Sequence, residues 1–85
     1  MSNELVFNDP TVNLIGVMAD VMKSRTQSIK VVAIEKDNKP YVSCQKWWRK
    51  DPEQPWLEGK GFHLSEEEAK SVVEGLQKSL NEFGK

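Results

Sequence analysis

Eighty-five residues make at most one domain, and 12 Lys or Arg against 13 Asp or Glu leave a formal charge of −1. A single cysteine excludes an internal disulfide and fits a reducing compartment, and one Cys with one His is too few for a metal centre. No apolar run approaches the roughly 20 residues of a membrane span, and no basic region precedes an apolar core as in a signal peptide. In chain order, the first eight residues read as mobile. Asp9-Pro10 reads as a helix start, with Asp as N-cap and Pro in the first turn. Leu14, Met18, Val21 and Met22 then fit one helical face, so the pattern predicts a helix over 10–22, weakened by Gly16. A strand over 12–17 is the alternative. The polar run 23–27 is a connector, which makes 1–27 an N-terminal extension to a domain over 28–85.

Residues 28–36 are rich in β-branched side chains, Asp37-Asn38 supplies a turn, and 39–48 makes a second strand. Pro40 places that strand's beginning at an edge or a start. Residues 51–55 form a loop with two prolines. Trp56-Leu57 opens a short strand before a break at Gly59, and 61–64 reads as another, with Phe62 and Leu64 on one side. Ser65 then caps a helix to Phe83. Glu68 completes a Ser-x-x-Glu capping box, and Glu66 and Glu67 lie in the first turn, where the helix dipole favours anions. Ala69, Val72, Val73, Leu76, Leu80 and Phe83 form one apolar stripe. It spans about five turns, more than a small sheet can cover, and a chain this short often needs such help, so the stripe predicts a homodimer. Val73, Leu76, Leu80 and Phe83 are the expected dimer contacts.

The richest stretch lies between these elements. Trp47, Trp48 and Trp56 fall within ten residues of one another, among Lys46, Arg49, Lys50 and Lys60. Bases stack on aromatic faces and phosphates need cations, so this pattern suits a single-stranded nucleic acid. Charge is unevenly spread: residues 30–62 carry seven cations against five acids, and 63–85 three against five. The electrostatic footprint is therefore central and modest, less than a duplex binder needs. Trp47 and Trp48 are adjacent on a strand, so their side chains point to opposite faces, and one of them can be core. Trp56 can stack a base or seal its loop. Lys39, Lys46, Arg49, Lys50 and Lys60 are the candidate phosphate contacts. His63 faces away from the helix as an ordinary strand residue, and Cys44 reads as a small core residue. No set of nucleophile, base and orienting group exists, so no enzyme, cofactor or metal is expected.

These residues resemble a known family, the single-stranded-DNA-binding domain of the eukaryotic transcriptional coactivator positive cofactor four and its small bacterial and viral homologues. The resemblance is carried by Trp47-Trp48, Asp51-Pro52-Glu53, Lys60-Gly61-Phe62-His63-Leu64 and the Ser65 cap, in that order and spacing. It covers about residues 28–83. It implies an α+β fold, a curved antiparallel sheet of about four strands followed by a C-terminal amphipathic helix. It also implies a homodimer built largely through the helices, with single strands bound along the β-surfaces. Trp48 takes the family's base-stacking position, and Lys39 and Lys60 take basic positions. The chain differs at Lys36, where the family has a stacking aromatic, and at Trp56 and Glu58, where the family has Lys and Gly.

The functional expectation is non-enzymatic, largely sequence-independent single-stranded DNA binding, with RNA as a variant, in transcription, replication or repair. The expected location is the cytoplasm, or the nucleus if the source is eukaryotic. The alternative is a protein-interaction module of the same fold with Trp47, Trp48 and Trp56 as partner anchors.

Overall fold

The computed structural model describes residues 4–84; of the first eight residues, expected to be mobile, 1–3 lie outside the described residues, while Leu5 and Val6 are held in a strand against Trp56 and Leu57. The fold is α+β: a curled five-stranded mixed sheet, shaped like half a barrel, followed by one helix. The strands are β1 (Leu5–Val6), β2 (Asn13–Ser24), β3 (Gln27–Lys36), β4 (Lys39–Trp48) and β5 (Trp56–Leu64), and α1 spans Glu66–Phe83. Their order across the sheet is β1-β5-β4-β3-β2. The last four form an antiparallel meander, and β1 lies parallel to β5 through Leu5 and Val6 opposite Trp56 and Leu57.

The N-terminal helix predicted over 10–22 is not there. That segment is β2, the longest strand, paired with β3 from Asn13 opposite Glu35 to Ser24 opposite Gln27. The physical reason is local. Asp9 and Pro10 do start an element, but it is a turn: the Asp9 carboxylate accepts from the Thr11 amide at 2.9 Å and the Thr11 hydroxyl at 2.7 Å. The side-chain chemistry that caps a helix serves an Asx turn equally well. Beyond it, the ladder to β3 outweighs a weak helical pattern interrupted by Gly16. The connector 23–27 becomes the tight end of a hairpin, with Ser24 opposite Gln27. The sheet therefore has five strands where about four were expected.

The β3–β4 hairpin closes as expected at Asp37 and Asn38, whose φ angles of 53° and 64° identify the mirror-image turn that suits strand twist. The expected break at Gly59 is a bulge within a continuous β5, lying between the Gln45–Gly61 and Trp47–Glu58 pairs. Gly61 sits so close to β4 that a Cβ would overlap Gln45 Cα and the Cys44 carbonyl, and a Cβ on Gly59 would come within 2.7 Å of the Lys46 carbonyl oxygen.

Alternation along β3 and β4 separates two faces. The inner face buries Ser28, Lys30, Val32, Ile34, Ser43, Gln45 and Trp47, joined by Trp56 from β5. The N-terminal segment helps to cover it, with the Phe7 ring edge-on to Trp47 at 5.2 Å and Asp9 paired to Lys36 at 2.6 Å. The outer face carries Ala33, Val42, the half-buried Cys44 and the exposed Phe62. Helix α1 starts with the predicted capping box: Ser65 Oγ accepts from the Glu68 amide at 3.2 Å, and the Glu68 carboxylate accepts from the Ser65 amide at 2.9 Å. These bonds hold the Glu68 carboxyl below its ordinary range. The helix meets β4 and β5 beside its first turns and then leaves the sheet, so none of its described residues is buried.

Two glycines should respond in opposite directions. Gly61→Ala should destabilise by roughly 2 kcal/mol or more, because the clash is with backbone. Gly75→Ala, where a Cβ meets nothing within 4 Å, should stabilise by about 1 kcal/mol through helix propensity. Urea unfolding of both variants measures the contrast.

Candidate nucleic-acid interface

The expected site residues part into two groups. Trp47 is 1% exposed and Trp56 is 2% exposed, so neither has a face to offer a base. Arg49 is also buried. Its guanidinium lies 4.0 Å from the centre of the Trp56 ring, and the Lys30 ammonium lies 4.4 Å from it. Arg49 Nε donates to the Arg25 carbonyl at 2.8 Å, its Nη1 donates to the Pro52 carbonyl at 3.4 Å, and its amide donates to Thr26 at 3.0 Å. This arginine ties the β2–β3 turn to the β4–β5 loop, and its head is occupied. Buried Lys30 is paired with Asp20 at 2.8 Å. Burial works against the Asp20 charge, but hydrogen bonds from Lys30 and Ser28 outweigh it and hold the carboxyl below its ordinary 3.8.

Trp48 is the exposed tryptophan, at 44%. It stands on the outer face with Lys46, two residues earlier on the same strand. The bulge between Gly59 and Gly61 brings Lys60 to the same place, since a bulge re-aims the side chain it carries. The β2–β3 hairpin brings Lys23 and Gln27 to the far side. Together these residues line a groove of about 320 Å³, with Ser28 and Trp47 also contributing to its walls. Among the described residues, Lys23, Lys46 and Lys60 have no ion-pair partner. Three available ammonium groups around one aromatic face can hold phosphates while a base stacks.

Lys39 stands at the start of β4, about 30 Å of strand away from Trp48 at its end. Lys50 is exposed beyond β4 but does not line the groove. Lys36, where an aromatic was expected from the resemblance, is held by Asp9, which raises the Lys36 pKa. Lys23 is the groove residue that sequence reasoning missed. Its signal was the strand alternative for residues 12–17, which, extended, makes 23–27 a hairpin end beside the end of β4. His63 is exposed on the inner face, its Nε2 3.1 Å from Gln45 Oε1. Among the described residues no His, Cys, Asp or Glu cluster could hold a metal ion, and no helix is long and apolar enough to cross a membrane.

No family model, no curated protein and no solved structure matches this chain.

The two adjacent tryptophans should separate stability from surface chemistry. Trp47→Ala should cost about 3–5 kcal/mol of folding stability, and Trp48→Ala less than about 1 kcal/mol. Thermal melts followed by circular dichroism would show the difference. Acid should weaken the fold through Asp20. Its depressed pKa gives stability that is fully present above the ordinary carboxylate value and lost as pH falls through the lowered one. Asp9, lowered chiefly by Lys36 and Thr11, acts in the same direction. Asp20→Asn should therefore flatten, without abolishing, the fall in urea midpoint between pH 5 and pH 2.

Proposed function

We propose that this chain binds single-stranded nucleic acid, DNA in the first instance, largely without regard to sequence, as a homodimer and without catalysing a reaction. The observation that carries the reading is the groove: an exposed Trp48 ringed by Lys23, Lys46 and Lys60. Stacking is worth about 1–3 kcal/mol per base, so one aromatic and three cations per subunit need a second subunit to reach useful affinity. The exposed stripe of Val73, Leu76, Leu80 and Phe83 on α1 supports self-association. Three cations are few for duplex binding, which draws its affinity from dense phosphate contacts. Such a protein would serve transcription, replication or repair inside the cell.

A second reading gives Trp48 to a protein partner. What favours it is the burial of Trp47 and Trp56, which leaves one exposed tryptophan where single-strand binders commonly stack several bases.

Titration with oligo(dT) and with duplex of the same length, at several salt concentrations, separates the readings. Single strands should quench tryptophan fluorescence and bind more tightly than duplex. Trp48→Ala should cost about 1–3 kcal/mol of binding with an unchanged salt slope. Lys23→Ala, Lys46→Ala or Lys60→Ala should each reduce the slope of log K against log salt by about 0.7, while Lys39→Ala leaves it near the parent value. No binding, or equal binding of the two forms, rejects the nucleic-acid reading.

A further inference from the structure

Phe62 is a large aromatic residue that the core does not use. Leu64, on the same side of β5, is half-buried, but Phe62 is 56% exposed. An apolar hollow of about 520 Å³ lies between α1 and the sheet, lined by Val42, Ala69 and Val73 among others and not by Phe62, so the helix does not shelter the ring. Its neighbours lead instead toward the groove. Phe62 lies directly opposite Cys44, and Trp48 stands four residues further along β4 on the same face. Lys46 is midway between Cys44 and Trp48, and Lys60 precedes Phe62 by two residues on β5. The outer face thus carries a row: an exposed indole, two ammonium groups and an exposed phenyl ring. Ile29 and Val31 of β3, opposite Lys46 and Cys44, give the row a half-buried apolar flank.

We infer that Phe62 is a second stacking platform for the strand that stacks on Trp48, with Lys46 and Lys60 holding the phosphates between the two bases. This rests on the nucleic-acid reading above and gives the strand its path, across the outer face from the end of β4 to the middle of β5. Spacing decides which bases are held. Four residues of strand separate the two platforms by about 13 Å. Stacked bases repeat about every 3.4 Å, so two bases adjacent in sequence cannot reach both rings. The strand is drawn out, with about one or two nucleotides between the stacked bases, and their phosphates fall beside the lysines. A duplex cannot bind in this way, because its bases are already stacked on one another. Lys36, where an aromatic was expected from the resemblance, is held by Asp9, so the second ring comes from β5 and not from the β3–β4 hairpin. Two platforms per subunit also supply part of the stacking that a single exposed tryptophan lacks.

The test compares a thymidine dinucleotide, too short to bridge the rings, with a thymidine hexanucleotide. Both are titrated into the full chain and its variants and followed by chemical shifts, which read weak binding. Phe62→Ala should weaken the hexanucleotide about 5- to 100-fold, with an unchanged salt slope, and leave the dinucleotide within about twofold of the parent. Phe62→Tyr should bind the hexanucleotide as the parent does. Phe62→Leu, which keeps apolar bulk without a flat ring, should be as weak as Phe62→Ala, and its circular dichroism melt guards against a folding defect. Normal hexanucleotide binding by Phe62→Ala, beside weakened binding by Trp48→Ala, overturns the second platform and leaves the single-strand reading standing. Parent-like binding by Phe62→Leu overturns stacking at Phe62. A change in sedimentation with Phe62→Ala makes Phe62 a subunit contact and overturns the proposal. Failure of the parent to bind either oligonucleotide rejects the single-strand reading and this path with it.

Discussion

The contact of Trp56 with two cations ties together the end of the sheet that carries the groove. Lys30 from β3 and Arg49 from just beyond β4 both lie against the indole. A cation on an aromatic face is worth about 2 kcal/mol or more when desolvated, so this arrangement can offset part of the cost of burying two charged side chains. Asp20 on β2 answers the Lys30 charge, and the Trp56 amide donates to the Glu4 carbonyl at 2.8 Å. Trp56 of β5 is thus joined to β3, to the residue just beyond β4 and to the N-terminal segment, and β2 is linked through Asp20 and Lys30. Arg49 also ties the β2–β3 turn to the β4–β5 loop through the Arg25, Thr26 and Pro52 carbonyls.

The two faces of the sheet have different tasks. The inner face holds the core, with Val32, Ile34, Trp47 and Trp56 almost wholly buried. A core of this size is small, as expected for 85 residues, and the N-terminal segment completes it where a disulfide or metal would serve in other small domains. The outer face stays open, apolar toward α1 and cationic toward Trp48. An open apolar face on a marginal fold is a cost in solubility, and association is the usual way it is covered.

Legibility followed the range of the interactions. The C-terminal helix could be read because its signals are local: the Ser65–Glu68 box, the acidic first turn and the 3.6-residue stripe lie within one segment. The β3–β4 hairpin was legible for the same reason, through β-branched runs on either side of Asp37-Asn38. Residues 10–22 were not. Their apolar positions suit both periods, and Asp9-Pro10 starts turns as well as helices. Pairing with β3 decided between them, and no window within the segment contains β3. The break read at Gly59 failed similarly: glycine marked an irregularity, and contact with β4 made it a bulge.

The same division runs through the candidate site. The sequence by itself determined that aromatic and basic residues would be concentrated after the second predicted strand, that adjacent Trp47 and Trp48 would face opposite ways, and that α1 would carry an apolar stripe longer than its sheet. These follow from composition and from fixed backbone periods. Only the tertiary structure decided which tryptophan is exposed, that Arg49 serves the core, that Lys39 stands far from Trp48, and that Lys23 joins the groove. Those outcomes depend on strand register and on the order β5-β4-β3-β2. Neighbours brought together across a sheet, unlike neighbours along a chain, leave no periodic trace in the sequence.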